Sequence, residues 1–406
     1  MSSIFEGFLS TPEVLDAFGE RSFLQAMLDF EAALAKAQAR AGLIPEAAAA
    51  AIAAGCKVEL LDTAAIVRDS ALAGTLAVPL TKSLKDIVGR SSKEAAAFVH
   101  FGSTSQDVID TALVLVTRRA LRLIEADVRQ AATALLALAR QHAAAPVLAR
   151  TLMQPASVTS FGLKCAGWAA PLVRSLQRME VAAGRALRVQ LGGAVGTLAQ
   201  MKGRGPQVVA FLAAELDLRA PEAVWHTQRD EWLALGCELG LLAGSLGKMA
   251  KDIALMGQYE VGELAEPSAP GRGGSSAMPH KRNPVACMVA LAASARAPQR
   301  VAALLAAMPQ EHERALGNWQ AELAEWPGLV AAAHGSARAM AQALPGLQVN
   351  TQRMRVNIAS LRAELPAEAA DEWFSFELAE HAAELARAQV QSQTAALNAL
   401  GLPQHP

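Results

Sequence analysis

The most constraining feature of this sequence is an apolar stripe between about residues 228 and 261. Large apolar side chains recur there in alternating steps of three and four residues, the repeat of a helix that packs along its length against other helices. The stripe consists of Trp232, Leu235, Leu239, Leu242, Leu246, Met249, Ile253 and Met256. Such a helix spans about 50 Å. The stripe predicts a bundle of long helices, and its length favours packing against other subunits; the alternative is a bundle within one chain.

Composition extends this prediction to the whole chain of 406 residues. Alanine is abundant, aromatic residues make up only 4%, and tyrosine occurs once. Because local propensity favours helix nearly everywhere, the expected fold class is all-α. Helices are predicted over about residues 21–41, 105–141, 228–261 and 284–307, with Ala-rich helices between 361 and 400. Glycine and proline predict a loop over residues 74–84.

Charge and cysteine usage exclude several function classes. The chain has 37 basic and 38 acidic residues, so it carries no overall field for nucleic acid or a membrane surface. The four cysteines form no C-x-x-C pair, which argues against a zinc site and a disulfide framework. No apolar run approaches the ~18 to 20 residues of a membrane span, and the N-terminus does not resemble a signal sequence. We expect a cytoplasmic protein that acts on a small molecule, without cofactor or metal.

A polar run, GRGGSSAMPHKRNP, occupies residues 271–284 between two apolar helical patterns. Its serines and its cationic or ionisable residues are Ser275, Ser276, His280, Lys281 and Arg282. Glycine gives the loop backbone freedom. Asn283 is expected to be the N-cap and Pro284 the first residue of the next helix, whose positive end attracts anions. The run therefore predicts an anion-binding loop; a solvated surface loop is the alternative.

A second polar segment, HFGSTSQDVIDT, covers residues 100–111. Thr104 or Ser105 is placed to cap the long helix that follows. Capping explains one hydroxyl, but not two hydroxyls beside Gln106 and His100. The pattern indicates polar contacts to a ligand, although His100 alone could be a structural histidine.

These segments resemble conserved blocks of the fumarase/aspartase superfamily. GSSAMPHKRNP resembles the signature loop of that family, HFGSTSQDVIDT its first block, and RTLMQPASVTSFG at residues 150–162 its second. The similarity extends from about Arg21 to Asn350, and LQAMLDFEAALA within the predicted helix 21–41 is similar to the cycloisomerase branch. The resemblance implies a homotetramer around a central bundle of long helices, with active sites shared between subunits.

The resemblance also implies roles for individual residues. Ser275 would act on a carbon-bound proton, while Lys281 and Asn283 would hold a substrate carboxylate and the negative charge that develops beside it. The implied catalytic residues are Ser275, Lys281 and His100, and the implied substrate-binding residues are Thr104, Ser105, Gln106, Arg150, Gln154, Ser276, Asn283 and Arg314. Arg314 falls where related lyases bind substrate, whereas Glu311 and Glu322 nearby are expected on a solvated helix face. The glycine-rich run 191–200 is an expected pocket wall.

One departure from the family pattern bears on the reaction. Leu152 stands where the lyases carry a histidine assigned to the leaving group, and members of the cycloisomerase branch also lack it. The resemblance therefore implies a cycloisomerase that closes a muconate tricarboxylate into a lactone. Another lyase of the superfamily and a non-catalytic helical scaffold are the alternatives. We predict an N-terminal helical domain over 1–100, a central bundle domain over 101–345 and a C-terminal helical region over 346–406.

Overall fold

The computed structural model describes residues 4–268, 271–274, 277–278 and 281–400, and most of them are helical, which confirms the all-α prediction. The N-terminal part consists of short helices around the longer α3. Its helices are α1 (Ile4–Gly7), α2 (Pro12–Ala17), α3 (Glu20–Arg40), α4 (Glu46–Gly55), α5 (Thr63–Ala73), α6 (Ala77–Ser91) and α7 (Lys93–Ala96). The loop predicted over residues 74–84 is wrong, because α6 starts at Ala77. Pro79 lies in its first turn, where a missing N–H costs no helical hydrogen bond.

Long helices form the centre of the protein. They are α8 (Ser105–Gln141), α9 (Phe161–Ala186), α11 (Asp230–Met256), α12 (Val285–Ala306) and α13 (Asn318–Ala343), with the shorter α10 (Gly205–Glu215) between α9 and α11. Helix α11 packs against α9, α12 and α13, and α8 packs against α9 and α13. The predicted bundle of long helices is therefore confirmed.

The apolar stripe of α11 is buried within its own chain. Each of its eight side chains is at most 4% exposed. The stripe packs inside the bundle of its own chain, so the expectation that it packs against other subunits is wrong. Among the described residues, α11 alone is long and apolar enough to cross a membrane, and the burial of its stripe accounts for that composition.

The remaining elements complete the described chain. They are α14 (Thr351–Glu364), α15 (Ala367–Phe374), α16 (Leu378–Ala399), and the strands β1 (Pro146–Thr151), β2 (Gln154–Ser160), β3 (Leu264–Ala265) and β4 (Gln348–Val349). Strands β1 and β2 form an antiparallel hairpin, and β3 pairs antiparallel with β4. One apolar cluster extends from Val14 to Leu397 and includes residues of all three predicted domains, so the division at residues 100 and 345 stays a prediction.

Hydrogen bonds show how the ends of the long helices are arranged. Asp110, in the second turn of α8, bonds Arg229 just before α11 and Trp319 at the start of α13. These three helices therefore begin at one end of the bundle, which we call the Thr104 end after the residue that precedes α8. The opposite end, called the hairpin end, holds the β1–β2 hairpin and the segment that follows α11. Helix α8 spans about 55 Å and α11 about 40 Å between the two ends.

Candidate active site

The Thr104 end brings together four of the predicted substrate-binding residues, Thr104, Ser105, Gln106 and Arg314. Thr104 precedes α8, and its backbone N–H donates to Asp107 Oδ2 at 3.0 Å, which fixes the first turn of the helix. From the loop before α13, Arg314 Nη1 donates to Gln106 Oε1 at 3.0 Å, and Arg314 Nη2 donates to the Thr104 hydroxyl. Ser105, the first residue of α8, lies beside them. A hydroxyl, an amide and a guanidinium thus meet at the N-terminus of a 37-residue helix.

Arg314 makes no salt bridge with any described carboxylate, and its Nε is buried without a hydrogen-bond partner among the described residues. Burial lowers the pKa of the guanidinium, and the charges of Asp107 and Asp110 partly oppose that shift. A half-buried arginine without a carboxylate partner, beside a helix N-terminus, is suited to bind a carboxylate of a ligand.

Asp107 joins the glycine-rich run to this site. Its buried carboxylate accepts the backbone N–H groups of Gly192 and Gly193, each at 2.9 Å, and pairs with His226 Nε2 at 2.7 Å. A side chain at Gly192 would lie within 2.8 Å of the His226 ring, so the close approach requires glycine. The predicted pocket wall at 191–200 therefore lies against the first turn of α8.

A buried ion-pair network lies next to the site, inside the bundle. Arg229 donates to both Asp110 and Glu322, and all three side chains are buried. Burial lowers the pKa of Arg229, but the two carboxylates raise it more, so the guanidinium stays charged. The expectation that Glu322 lies on a solvated helix face is wrong, because it faces this arginine inside the bundle. Glu311 is exposed, as expected, but it lies in the loop before α13 and not on a helix, and its Oε2 accepts the Leu316 N–H at 3.1 Å.

His100 lies in a constrained position between the N-terminal helices and α8. Its backbone is left-handed, with φ of 61°, and its Nδ1 lies 2.5 Å from Oε1 of the buried Glu31. Burial opposes the charged imidazole, but the Glu31 carboxylate and Asp107 favour it, and the net effect raises the pKa of His100. His100 is thus an oriented group close to Asp107, and the Glu31 carboxylate favours its charged form; its catalytic role stays a prediction.

The second predicted block forms the β1–β2 hairpin. Arg150 makes a bidentate pair with the buried Glu263, at 3.1 Å and 3.0 Å. Its guanidinium is therefore occupied within the chain, which argues against direct contact with substrate. Gln154 is exposed at the start of β2. The tip holds Leu152, 96% exposed, and Met153, both with left-handed backbones.

The predicted anion-binding loop also lies at the hairpin end. Ser275, Ser276 and His280 lie outside the described residues. Lys281 and Asn283 are exposed beside a cavity of about 280 Å³, and the Asn283 N–H donates to the Gly273 carbonyl at 2.8 Å. The prediction that Asn283 caps the next helix is wrong. Glu266 takes that role, as its carboxylate accepts the N–H groups of Ala286 and Cys287.

Within one chain, the predicted site residues therefore fall into two groups. His100, Thr104, Ser105, Gln106 and Arg314 lie at the Thr104 end, whereas Arg150, Gln154, Lys281 and Asn283 lie at the hairpin end. Arg229 bonds Asp110, to which Gln106 of the first group also donates, and Glu263 bonds Arg150 of the second group. Arg229 and Glu263 flank α11 and are separated by its length of about 40 Å. No ligand of a few ångströms can contact both groups of the same chain.

Comparison with known proteins identifies the family. A lyase family model matches residues 8–298, which is more than half of the chain. The chain belongs to this lyase family. A 3-carboxy-cis,cis-muconate cycloisomerase of Pseudomonas aeruginosa is 46% identical over 91% of this chain and 80% of its own length. These matches confirm the superfamily resemblance and its cycloisomerase branch.

Two further matches are to proteins with different names. The crystal structure of a 3-carboxy-cis,cis-muconate lactonizing enzyme from Pseudomonas putida has a TM-score of 0.88 and 38% identity, and the match covers 98% of this chain and all of that one. A nitrosuccinate lyase of Streptomyces davaonensis is 42% identical over 84% of this chain and 74% of its own length. The family fold thus accommodates both ring closure and elimination.

Sequence reasoning missed the residues that hold the site in place. Glu31, Asp107, His226, Arg229, Glu263 and Glu322 are all buried and make ion pairs with partners far away in the chain. A signal was present only for Asp107, which lies three residues after Thr104 as in a helix N-terminal motif. The others gave no local pattern.

The contrast between Glu322 and Glu311 gives a matched test. We expect Glu322→Gln to lower the free energy of unfolding by about 3 kcal/mol or more, because it removes one partner of a buried charge. Glu311→Gln, on the exposed side, should change it by less than about 0.5 kcal/mol. Equilibrium denaturation of both variants checks this, and equal effects would contradict the buried network.

Proposed function

We propose that this protein converts 3-carboxy-cis,cis-muconate into 4-carboxymuconolactone. Membership of the lyase family and the cycloisomerase relatives at up to 46% identity support this reaction class. The choice of lactonisation over elimination within the family rests on Leu152. An apolar side chain at the hairpin tip cannot protonate a leaving group, so the reaction performed here is one in which no poor leaving group departs.

The reaction fits that requirement. One carboxylate oxygen of the substrate forms a C–O bond to a carbon of a double bond, and a proton is added to the neighbouring carbon. In the reverse direction the departing group is a carboxylate with a pKa of about 4, which leaves without a proton at neutral pH. By microscopic reversibility the attacking carboxylate needs no base. An apolar group near it can instead exclude water.

Ser275 is the proposed donor of the proton that is added to carbon, and it then regains a proton from solvent. Negative charge develops on the carboxylate next to the protonated carbon. Lys281 and Asn283 are proposed to stabilise that charge, and groups that act only as charge develops lower the barrier more than general affinity does. Ser276 and Gln154 complete the contacts proposed for the hairpin end.

At the Thr104 end, Arg314 is proposed to bind another carboxylate of the tricarboxylate. The guanidinium has no described carboxylate partner, and Thr104, Ser105 and Gln106 add hydroxyl and amide groups beside it. His100 lies at the same end, and its pairing with Glu31 favours the charged form of its imidazole. This distribution of cations suits a substrate with carboxylates at both ends.

The separation of the two groups supports a shared active site. Because they lie about 40 Å apart in one chain, a complete site needs the Thr104 end of one chain and the hairpin end of another. We propose a homotetramer, in which parallel and antiparallel long helices of several chains bring such ends together. A cytoplasmic location belongs to the same proposal.

Elimination is the second candidate, since a nitrosuccinate lyase is 42% identical. We expect the purified protein to remove the ultraviolet absorbance of the conjugated diene of 3-carboxy-cis,cis-muconate. Its kcat/KM for that substrate should exceed its kcat/KM for nitrosuccinate by about a hundredfold or more. Faster turnover of nitrosuccinate would contradict the proposal.

Ser275→Ala tests the proposed proton transfer. This variant should lower kcat on 3-carboxy-cis,cis-muconate by about 10² or more, with substrate binding preserved.

Leu152 provides a test of the leaving-group argument. We expect Leu152→His to leave kcat for lactonisation no higher than wild type, with no ionisation of histidine in the pH–rate profile. Met153→His, at the neighbouring position of the tip, controls for the presence of an imidazole. Faster lactonisation by Leu152→His alone, changing through the histidine titration near pH 6.5, would refute the explanation for the missing acid.

A further inference from the structure

Two carboxylates in the segment 263–266 have no part in the proposed chemistry. Glu263 is fully buried and Glu266 nearly so. The segment contains β3 and lies between the end of α11 and the signature loop. Strand β4 pairs with it, and the Asn350 N–H donates to the Glu263 carbonyl at 3.0 Å. The backbone of this segment is therefore fixed by its pairing with β4.

Glu263 points to the hairpin. It accepts both Nη groups of Arg150, and it also accepts the side-chain amide of Asn357 in α14 at 2.9 Å. Within the described chain Arg150 makes its only salt bridge to Glu263. A bidentate pair has a defined orientation as well as a defined distance. Glu263 therefore sets the position of the end of β1, which carries Arg150 and leads into the hairpin turn.

Glu266 points to the signature loop. Its Oε2 accepts the Ala286 N–H at 3.0 Å, and its Oε1 accepts the Cys287 N–H at 2.8 Å, so one carboxylate satisfies two free donors of α12. Arg272 Nη2 lies 3.7 Å from the same group, on the other side of the loop. Glu266 thereby contacts both ends of the loop that carries Lys281 and Asn283: Arg272 near its start and the first turn of α12 at its end.

We propose that Glu263 and Glu266 are positioning residues, which together hold the hairpin and the signature loop in one fixed relation. Only two residues separate them, and β4 prevents those residues from moving independently. Glu263 acts through Arg150 on the hairpin, and Glu266 acts through Arg272 and the N-terminus of α12 on the signature loop. Neither carboxylate touches substrate.

This inference assigns a function to Arg150 that differs from substrate binding. If Arg150 orients the hairpin, then Gln154 and the tip depend on Glu263 for their position. The expected effects of the two carboxylates are therefore different. Loss of Glu266 should disturb the loop that is assigned the proton transfer, and loss of Glu263 should disturb the hairpin that is assigned substrate contacts.

Hydrogen exchange and kinetics of the full-length variants Glu263→Gln and Glu266→Gln separate these effects. Glu260→Gln, an exposed carboxylate a few residues earlier, is the matched control. We expect Glu266→Gln to speed amide exchange at Ala286 and Cys287 by about tenfold or more, because a charged acceptor is lost. It should lower kcat by about tenfold to a hundredfold, as misplaced catalytic groups do, with KM within about threefold of wild type.

Glu263→Gln should instead speed exchange in residues 146–160 and raise KM, with Ala286 and Cys287 unchanged. If that variant does not fold, Arg150→Gln breaks the same pair from its half-exposed side. Unchanged exchange in the targeted segment, or a uniform increase over the whole chain, would overturn the proposal. The kinetic part depends on the proposed lactonisation; if wild type does not turn over 3-carboxy-cis,cis-muconate, that function fails, and the exchange pattern still decides the positioning roles.

Discussion

The length of the central helices determines how this protein can form an active site. Asp110 bonds both Arg229 and Trp319 at one end of the bundle, and Glu263 bonds Arg150 at the other. A helix of 27 residues between these points spans about 40 Å and does not shorten. The polar residues at the two ends therefore serve one small substrate only when different chains supply them. The fold separates the predicted site residues within a chain, and we propose that assembly of several chains brings them together.

Buried ion pairs complement this arrangement, because they orient the polar residues at each end. Arg150 and Arg229 are fully committed to carboxylates of their own chain, whereas Arg314 has none among the described residues. This difference separates structural cations from one that can bind a ligand. The net charge of −1 does not reveal this difference, because it counts paired and unpaired charges alike.

The sequence predicted what depends on local pattern. The apolar stripe and the alanine content predicted α11 and the helical class, and the order of residues around Thr104 and Lys281 indicated the family. Glu322 and Asn283 show where local reasoning fails. Glu322 was expected on a solvated helix face but pairs with Arg229, 93 positions away. Glu266 replaces Asn283 as the cap of α12. Such partners are decided by tertiary packing, which no short window of sequence contains.

Activity of mixed assemblies tests the central claim most directly. Arg314→Ala alters only the Thr104 end and Lys281→Ala only the hairpin end, so each variant alone should be nearly inactive. When the two are unfolded and refolded together, random mixing leaves about a quarter of the shared sites free of both changes, and up to that fraction of wild-type kcat should return. Absence of recovery in assemblies shown by mass to contain both chains would contradict a site built between subunits.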